Sequence, residues 1–190
     1  MYNKIILGIL FASLAVNQEN IQETQPSSDI TFQLEGNIFE QLLTESKYPG
    51  IYVGWGAVDI SSEIIKIAES LGAPVATTFQ GISAFPGNHP LHAGVGFGPS
   101  SIPASQKAFS DCDCLLAVGV RFSELATGSY GTSIPERLIH VDINPNVFNK
   151  NYTATIAIKG DARHIIPEIS KRIKSSSSSE KRYRIVSGII

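Results

Sequence analysis

The sequence predicts an α/β domain with a parallel sheet and helices on both faces. Short segments such as 114–118 are apolar throughout, as expected for strands that are buried on both sides. They alternate with segments in which apolar residues recur at helical spacing. Most of the apolar segments also end at Gly or Asp, and the carboxyl ends of parallel strands form the ligand crevice in such folds.

Composition bounds the class of protein. The 190 residues are 43% hydrophobic and 17% charged, which suits one packed domain and excludes a disordered chain. The formal net charge of −2 disfavours a nucleic-acid binder. Two cysteines cannot form a disulfide framework, and no apolar run reaches the roughly 18 to 20 residues that span a bilayer.

The chain divides into an extension (1–29), the domain (30–172) and a Ser-rich basic tail or linker (173–190). In the extension, Lys4 precedes an apolar run over 5–16, a pattern typical of a secretory signal but also of a docking segment. We expect a cytoplasmic protein, or a secreted one if residues 1–16 are a signal peptide. In a secreted eukaryotic protein, Asn151 would begin a glycosylation sequon.

The first half of the domain predicts helices separated by buried strands. Asp59 or Ser61 is expected to cap the second helix, which ends at Gly72. Pro74 then starts a strand, and a loop rich in Gly, Pro and His follows. The expected elements are a helix at 38–44, a strand at 50–54, the capped helix, a strand at 75–77 and the loop at 80–99.

The second half repeats this pattern. We expect helices at 101–109 and 165–173, and strands at 114–118, 138–141 and 155–158. The run of serines at 175–179 is typical of a flexible linker. Six of the fifteen basic residues fall around it: Lys171, Arg172, Lys174, Lys181, Arg182 and Arg184.

Three groups at predicted strand ends suit a nucleotide, and each has a second interpretation. Gly54 and Gly56 would let the backbone approach a phosphate, or form a tight turn without a ligand. Arg121 would pair with a phosphate, or with Glu124 or Asp142. Asp142 would accept hydrogen bonds from a ribose, or shape the turn that follows it.

Metal and catalytic motifs are weak. Cys112 and Cys114 supply two of the four ligands of a zinc site, and the sequence has no second cysteine pair. His89 and His92 could be considered as the other ligands, but two reduced cysteines without a metal are the expected state. Segment 160–162 (GDA) looks like the beginning of a thiamine diphosphate motif, but it lacks the glycine and asparagines that complete one. We therefore predict no catalytic or metal residue in this chain.

Several ordered blocks resemble one family. They run from the first strand to the last predicted one and together cover about residues 30–172. The blocks are 51–57 (IYVGWGA), 71–78 (LGAPVATT), 85–91 (FPGNHPL), 111–122 (DCDCLLAVGVRF), 138–142 (LIHVD) and 160–161 (GD). They are similar to the central domain of thiamine diphosphate-dependent enzymes of the acetolactate synthase group.

The resemblance implies a Rossmann-like fold of the DHS-like NAD/FAD-binding type, with six parallel strands. In that family, flanking domains supply the thiamine-activating glutamate and the diphosphate and Mg²⁺ site, and the central domain is not catalytic. Neither end of this chain is long enough for a flanking domain. We expect a truncated or split acetolactate synthase-like enzyme that is inactive alone and needs the missing pyrimidine- and diphosphate-binding domains. The alternative is a stand-alone nucleotide- or FAD-binding module similar to the epsilon subunit of archaeal acetyl-CoA decarbonylase/synthase.

The resemblance also implies a set of cofactor-binding residues and leaves FAD open. True acetohydroxyacid synthases bind FAD in this domain, but this chain has RFSEL at 121–125 where they resemble RFDDR, and HAGVGFG at 92–98 replaces a stretch with Met and His. We expect a monomer or weak dimer, with 2-keto acid choice set outside this domain. The implied contacts are Gly54, Gly56, Thr78, Gly119, Val120, Arg121, Asp142, Ile143 and Asp161.

Overall fold

A parallel sheet of seven strands organises the computed structural model, which describes residues 21–23, 38–99, 101–175 and 177–189. Six strands lie within 30–172, as expected, and a seventh comes from the extension. The possible signal segment at 1–16 lies outside the described residues. The strands are β1 Ile21–Glu23, β2 Pro49–Val53, β3 Val75–Thr77, β4 His92–Val95, β5 Cys114–Val118, β6 Arg137–Asp142 and β7 Ile156–Lys159.

The strand order is β1-β7-β6-β5-β2-β3-β4. From β2 the chain adds β3 and β4 on one side, then crosses back to place β5 on the other side of β2, followed by β6 and β7. All pairs are parallel. The order reverses between β2 and β5, and in open α/β sheets ligands bind at this switch point, beyond the carboxyl ends of the strands.

Helices cover both faces, so two apolar cores form. Successive residues of a strand point to opposite faces: Ile51 and Val53 pack in one core, and Tyr52 packs in the other. Four of the described helices contribute buried side chains to the first core, whereas the segment after residue 108 contributes Phe109 to the second. The described helices are α1 Ile38–Thr44, α2 Ser61–Leu71, α3 Pro103–Ala108, α4 Ala162–Arg172 and α5 Ser177–Ile189.

Two local predictions before residue 100 are wrong. The expected cap of α2 by Asp59 or Ser61 does not form, because a 3₁₀ turn over Trp55–Ile60 runs directly into the helix and Ile60 occupies the cap position. The predicted loop at 80–99 contains β4, which pairs with β3 through a register shift at Val75/Ala76. The left-handed end of α2 at Gly72 is confirmed.

The tail is not a flexible linker. Helix α5 begins at Ser177 and packs against the domain, with Val186 buried in the first core. The Arg182 Nε donates a hydrogen bond to the Leu71 carbonyl at the end of α2, over 2.8 Å. A Cβ at Gly72 would lie 2.2 Å from the Ser179 carbonyl oxygen, so α5 touches the backbone of this turn. None of the described helices is both long and apolar enough to cross a membrane.

Candidate functional site

A cleft of about 600 Å³ lies across the carboxyl ends of five neighbouring strands, from β3 to β7. It therefore straddles the switch point between β2 and β5. The predicted residues Gly54 and Asp161 do not line it. The other seven of the nine do: Gly56, Thr78, Gly119, Val120, Arg121, Asp142 and Ile143.

The glycines at the switch point hold two backbone segments in direct contact. A Cβ at Gly54 would lie 2.1 Å from the Gly119 carbonyl oxygen, and a Cβ at Gly119 would lie 2.5 Å from the Gly56 Cα. Gly119 also has a φ of +62°. The tight turn is therefore confirmed, whereas the approach of a phosphate to it stays a prediction. Sequence reasoning missed Gly81, where a Cβ would lie 2.5 Å from the Gly54 carbonyl carbon.

Arg121 brings a cation to the cleft. The residue is exposed and lines the cleft beside Gly119 and Val120. Within the described ranges its guanidinium forms no ion pair with Glu124 or Asp142, so the salt-bridge interpretation is wrong. The guanidinium is therefore available to an anionic ligand.

Asp142 brings a carboxylate to the same cleft. Its side chain is buried, and its Oδ1 accepts a hydrogen bond from the Asn144 N–H at 2.8 Å. Asp142 therefore shapes the turn that follows it, whereas a contact with a ribose stays a prediction. The Asp142 carbonyl also accepts from the Gly160 N–H at 3.0 Å, which joins the ends of β6 and β7.

Asp161 caps helix α4. Its Oδ1 accepts from the Arg163 N–H at 2.8 Å, and its Oδ2 accepts from the Arg163 guanidinium at 2.6 Å. These hydrogen bonds lower the pKa of the Asp161 carboxyl. The side chain thus has partners within α4, while its neighbours Gly160 and Ala162 line the cleft.

Four large, exposed apolar side chains lie in the cleft and beside it, and of these only Ile143 was among the predicted site residues. Trp55 and Phe79 are each 71% exposed and follow β2 and β3, while Leu125 and Ile143 follow β5 and β6. An adjoining cavity of about 850 Å³ is bounded by Phe79, Leu125 and other apolar groups. Trp55, Phe79 and Ile143 each lie within two residues of the end of a buried strand, and this pattern in the sequence could have indicated that they lie near the site.

The cysteines and histidines considered for metal binding have other surroundings. Cys112 Sγ donates to the Cys114 carbonyl over 3.4 Å, and burial raises the pKa of both thiols to about 12. His89 Nε2 lies 3.4 Å from a Glu69 carboxylate oxygen. In the part of the chain that the structure describes, no three His, Cys, Asp or Glu side chains are grouped to hold a metal ion.

Comparison with known proteins identifies relatives. The family model for the thiamine pyrophosphate enzyme central domain matches residues 39–169. The probable acetolactate synthase large subunit of Methanocaldococcus jannaschii is 38% identical over 132 residues, 68% of this chain and 22% of the relative. The acetolactate synthase large subunit of Corynebacterium glutamicum is 34% identical, over 73% of this chain and 22% of the relative.

A third relative is also an acetolactate synthase large subunit. The isozyme 2 large subunit of Escherichia coli acetolactate synthase is 31% identical, over 78% of this chain and 28% of the relative. The chain thus spans roughly a quarter of the length of the curated relatives it matches. These relatives support the acetolactate synthase expectation and lend no support to the epsilon-subunit alternative. Because the family model matches more than half of it, the chain belongs to the family of thiamine pyrophosphate enzyme central domains.

Proposed function

We propose that this chain is the non-catalytic central domain of an acetolactate synthase-like enzyme and holds an adenine nucleotide, with FAD as the candidate, in the switch-point cleft. The observation that supports it best is the gathering of seven of the nine predicted cofactor-binding residues in one cleft. The cleft also lies where ligands bind in open parallel sheets.

The residues present fit a nucleotide. Arg121 offers bidentate hydrogen bonds to a diphosphate, and Asp142 offers a carboxylate to a ribose hydroxyl. The exposed Trp55 in the cleft and the exposed Phe79 in the adjoining cavity offer apolar surfaces to a ring. In the acetohydroxyacid synthases that bind FAD in this domain, the flavin takes no redox part in the main reaction, so these side chains would only bind and orient it.

One departure from the flavin-binding pattern lowers the expected affinity for FAD. Leu125 stands where the flavin binders carry a second Arg, and its side chain is 70% exposed at the adjoining cavity. Among the described residues that line the cleft, Arg121 is then the one cation for the diphosphate, where the flavin binders have two. We therefore expect ADP and FAD to bind with similar affinity, since Arg121 contacts the part they share.

The proposal assigns the chemistry of thiamine diphosphate and Mg²⁺ to other domains of the enzyme, acting on 2-keto acids. Two observations support this assignment. The chain matches only about a quarter of the length of its relatives. The apolar residues at the carboxyl ends of the strands are largely exposed, as expected of a surface that contacts a further domain or ligand.

Calorimetric titration with ADP and FAD tests the proposal. Arg121→Ala should weaken binding of both ligands roughly tenfold to a hundredfold, because a hydrogen bond to a charged group contributes about 1.5 to 3 kcal/mol. Lys107→Ala is the matched control, since Lys107 is exposed on α3 and does not line the cleft. Equal binding by wild type and Arg121→Ala would contradict the role of Arg121. Absence of binding at millimolar nucleotide would reject the proposed ligand.

A further inference from the structure

A buried histidine lies directly behind the turn that carries Arg121. His140 sits on β6 and is 1% exposed. Its Nε2 lies 2.7 Å from the carbonyl oxygen of Val120. A carbonyl oxygen only accepts, so Nε2 must carry the proton in this contact.

The second ring nitrogen indicates that the imidazole is neutral. Within the described residues the buried Nδ1 has no hydrogen-bond partner. Burial is the main cause that lowers the pKa of His140, against the opposing effects of the Val120 carbonyl and Asp142. The rings of Phe122 and Phe148 pack edge-on against the imidazole, with distances between ring centroids of 5.1 and 5.0 Å. The ring thus has one orientation and one tautomer that suit the contact.

A second side chain holds the other end of the same turn. The Asn151 Nδ2 donates to the Phe122 carbonyl over 2.9 Å. Phe122 has a φ of +47°, a left-handed conformation that a non-glycine residue adopts only when its surroundings enforce it. The carbonyls on both sides of Arg121, those of Val120 and Phe122, therefore each accept a hydrogen bond from a side chain.

We propose that His140 and Asn151 are positioning residues of the cleft, which fix the backbone around Arg121 so that its guanidinium is presented to the ligand. The inference rests on the proposed nucleotide-binding function. Its physical basis is preorganisation: a turn that is already ordered loses less conformational entropy when the ligand binds. Neither side chain needs to touch the ligand.

The variants separate the hydrogen bond from the packing. His140→Leu removes the donor, whereas His140→Gln keeps an amide N–H that can reach the Val120 carbonyl. His140→Leu should weaken ADP binding about tenfold, and His140→Gln should stay close to wild type. Asn151→Ala should weaken binding in the same direction, and because Asn151 is exposed this variant provides the test if His140→Leu fails to fold.

A double-mutant comparison distinguishes positioning from general destabilisation. In an Arg121→Ala background, His140→Leu and Asn151→Ala should cause no further loss of ADP affinity, because each acts through Arg121. A loss of the same size in both backgrounds would overturn the proposal. So would an unchanged affinity of both single variants in the wild-type background.

Two measurements without ligand keep this inference separate from the proposed function. Nitrogen-15 chemical shifts should show the His140 ring protonated at Nε2 alone, and an Nδ1-protonated ring would overturn the proposal. Amide hydrogen exchange at 119–122 should accelerate in His140→Leu and not in His140→Gln, and equal rates in both variants would also overturn it. If the wild type binds neither ADP nor FAD, the nucleotide function fails, and these two measurements still decide whether the turn is held as described.

Discussion

Asp113 joins three chain segments at the end of the sheet opposite to the cleft. Its carboxylate accepts hydrogen bonds from the Ser46 hydroxyl, from the backbone N–H groups of Lys47 and Tyr48 at 3.1 and 2.9 Å, and from the Arg137 guanidinium. The Arg137 Nε also donates to the Asp113 carbonyl over 3.0 Å. One side chain thus ties the starts of β2, β5 and β6 together.

Removing this carboxylate should destabilise the domain. Asp113→Ala is expected to lower the free energy of unfolding by about 2 to 4 kcal/mol, because it leaves several donors without their acceptor. Urea denaturation provides the measurement. Asp111→Ala is the control, since Asp111 is exposed. Equal midpoints for the two variants would contradict the role given to Asp113.

The same carboxylate should make stability depend on pH. Burial opposes the ionisation of Asp113, but the hydrogen bonds from Ser46, Tyr48 and Lys47 and the charge of Arg137 outweigh it and lower its pKa. A lowered pKa in the folded state stabilises the protein above the unfolded value of about 3.9, and this contribution is lost as the pH falls through the folded pKa. The stability difference between wild type and Asp113→Asn should therefore be full at neutral pH and shrink below about pH 4. A difference that stays constant down to pH 2 would argue against this.

Gly119 should tolerate no side chain. An alanine there would adopt a left-handed φ and would place its Cβ against the Gly56 backbone. The conformation alone costs roughly 1 to 2 kcal/mol, and the clash requires the two segments to separate. Gly119→Ala should therefore lower the unfolding midpoint strongly, while Gly87→Ala, with open space around it, should leave it nearly unchanged. Thermal unfolding of the two variants provides the measurement, and equal midpoints would contradict the role given to Gly119.

Residue roles could be predicted where the signal is local. The Gly54–Gly56 turn and the turn-forming Asp142 follow from chain-adjacent patterns. The partners of His140 and Asp113 could not be predicted, because they lie on segments far away in sequence. The packing role of Gly81 was hidden for the same reason, since it depends on the approach of Gly54.

Elements were predictable where burial is complete. The strand at 114–118 is apolar throughout, and its predicted bounds match β5. Strand β4 was missed because His92 and Gly94 interrupt any apolar run, and Gly94 has a φ of +101° beside a register shift. Helix α5 was missed because its first three residues and the two residues before them are all serines, and because its position depends on packing against α2.

Helix α5 should detach from the domain when its buried contact is made polar. Val186→Asp would place a carboxylate in the first core, where it has no described partner, and the charge would need to reach water. Limited trypsin digestion should then cut rapidly at Lys181, Arg182 and Arg184, which are slower sites in the packed helix. Ser187→Asp is the matched control on the adjacent, less buried position. Identical cleavage rates in both variants would mean that the helix is not held through Val186.

At the scale of the whole molecule, the class of fold was predictable and the strand order was not. Alternation of buried strands with helices requires a parallel sheet with both faces covered. Nothing local decides on which side of β2 the strand β5 pairs, because that choice depends on the long crossover through β4 and α3. The resemblance supplied only the order of the blocks along the chain, whereas the structure places the cleft where the order of the strands in the sheet reverses.

The domain alone should have no acetolactate synthase activity. Its 190 residues contain neither the thiamine-activating glutamate nor the diphosphate–Mg²⁺ motif that the family resemblance assigns to other domains. Incubation with pyruvate, thiamine diphosphate and Mg²⁺ should release no carbon dioxide and form no acetolactate, while a full-length acetolactate synthase in the same assay should do both. Product that increases in proportion to the amount of this chain would contradict the prediction.

The expected monomer or weak dimer likewise stays a prediction, to be measured by light scattering.

The pairing of β1 with β7 joins the first described strand to the last described strand. During synthesis, residues 21–23 leave the ribosome long before 156–159, so this edge of the sheet cannot close until nearly the whole domain has been made. Contacts between segments so far apart in sequence also form slowly, because a long loop must be closed first. The nascent chain therefore carries an unpaired edge segment through most of the synthesis of this domain, and during this interval chaperones or a second nascent chain have access to it.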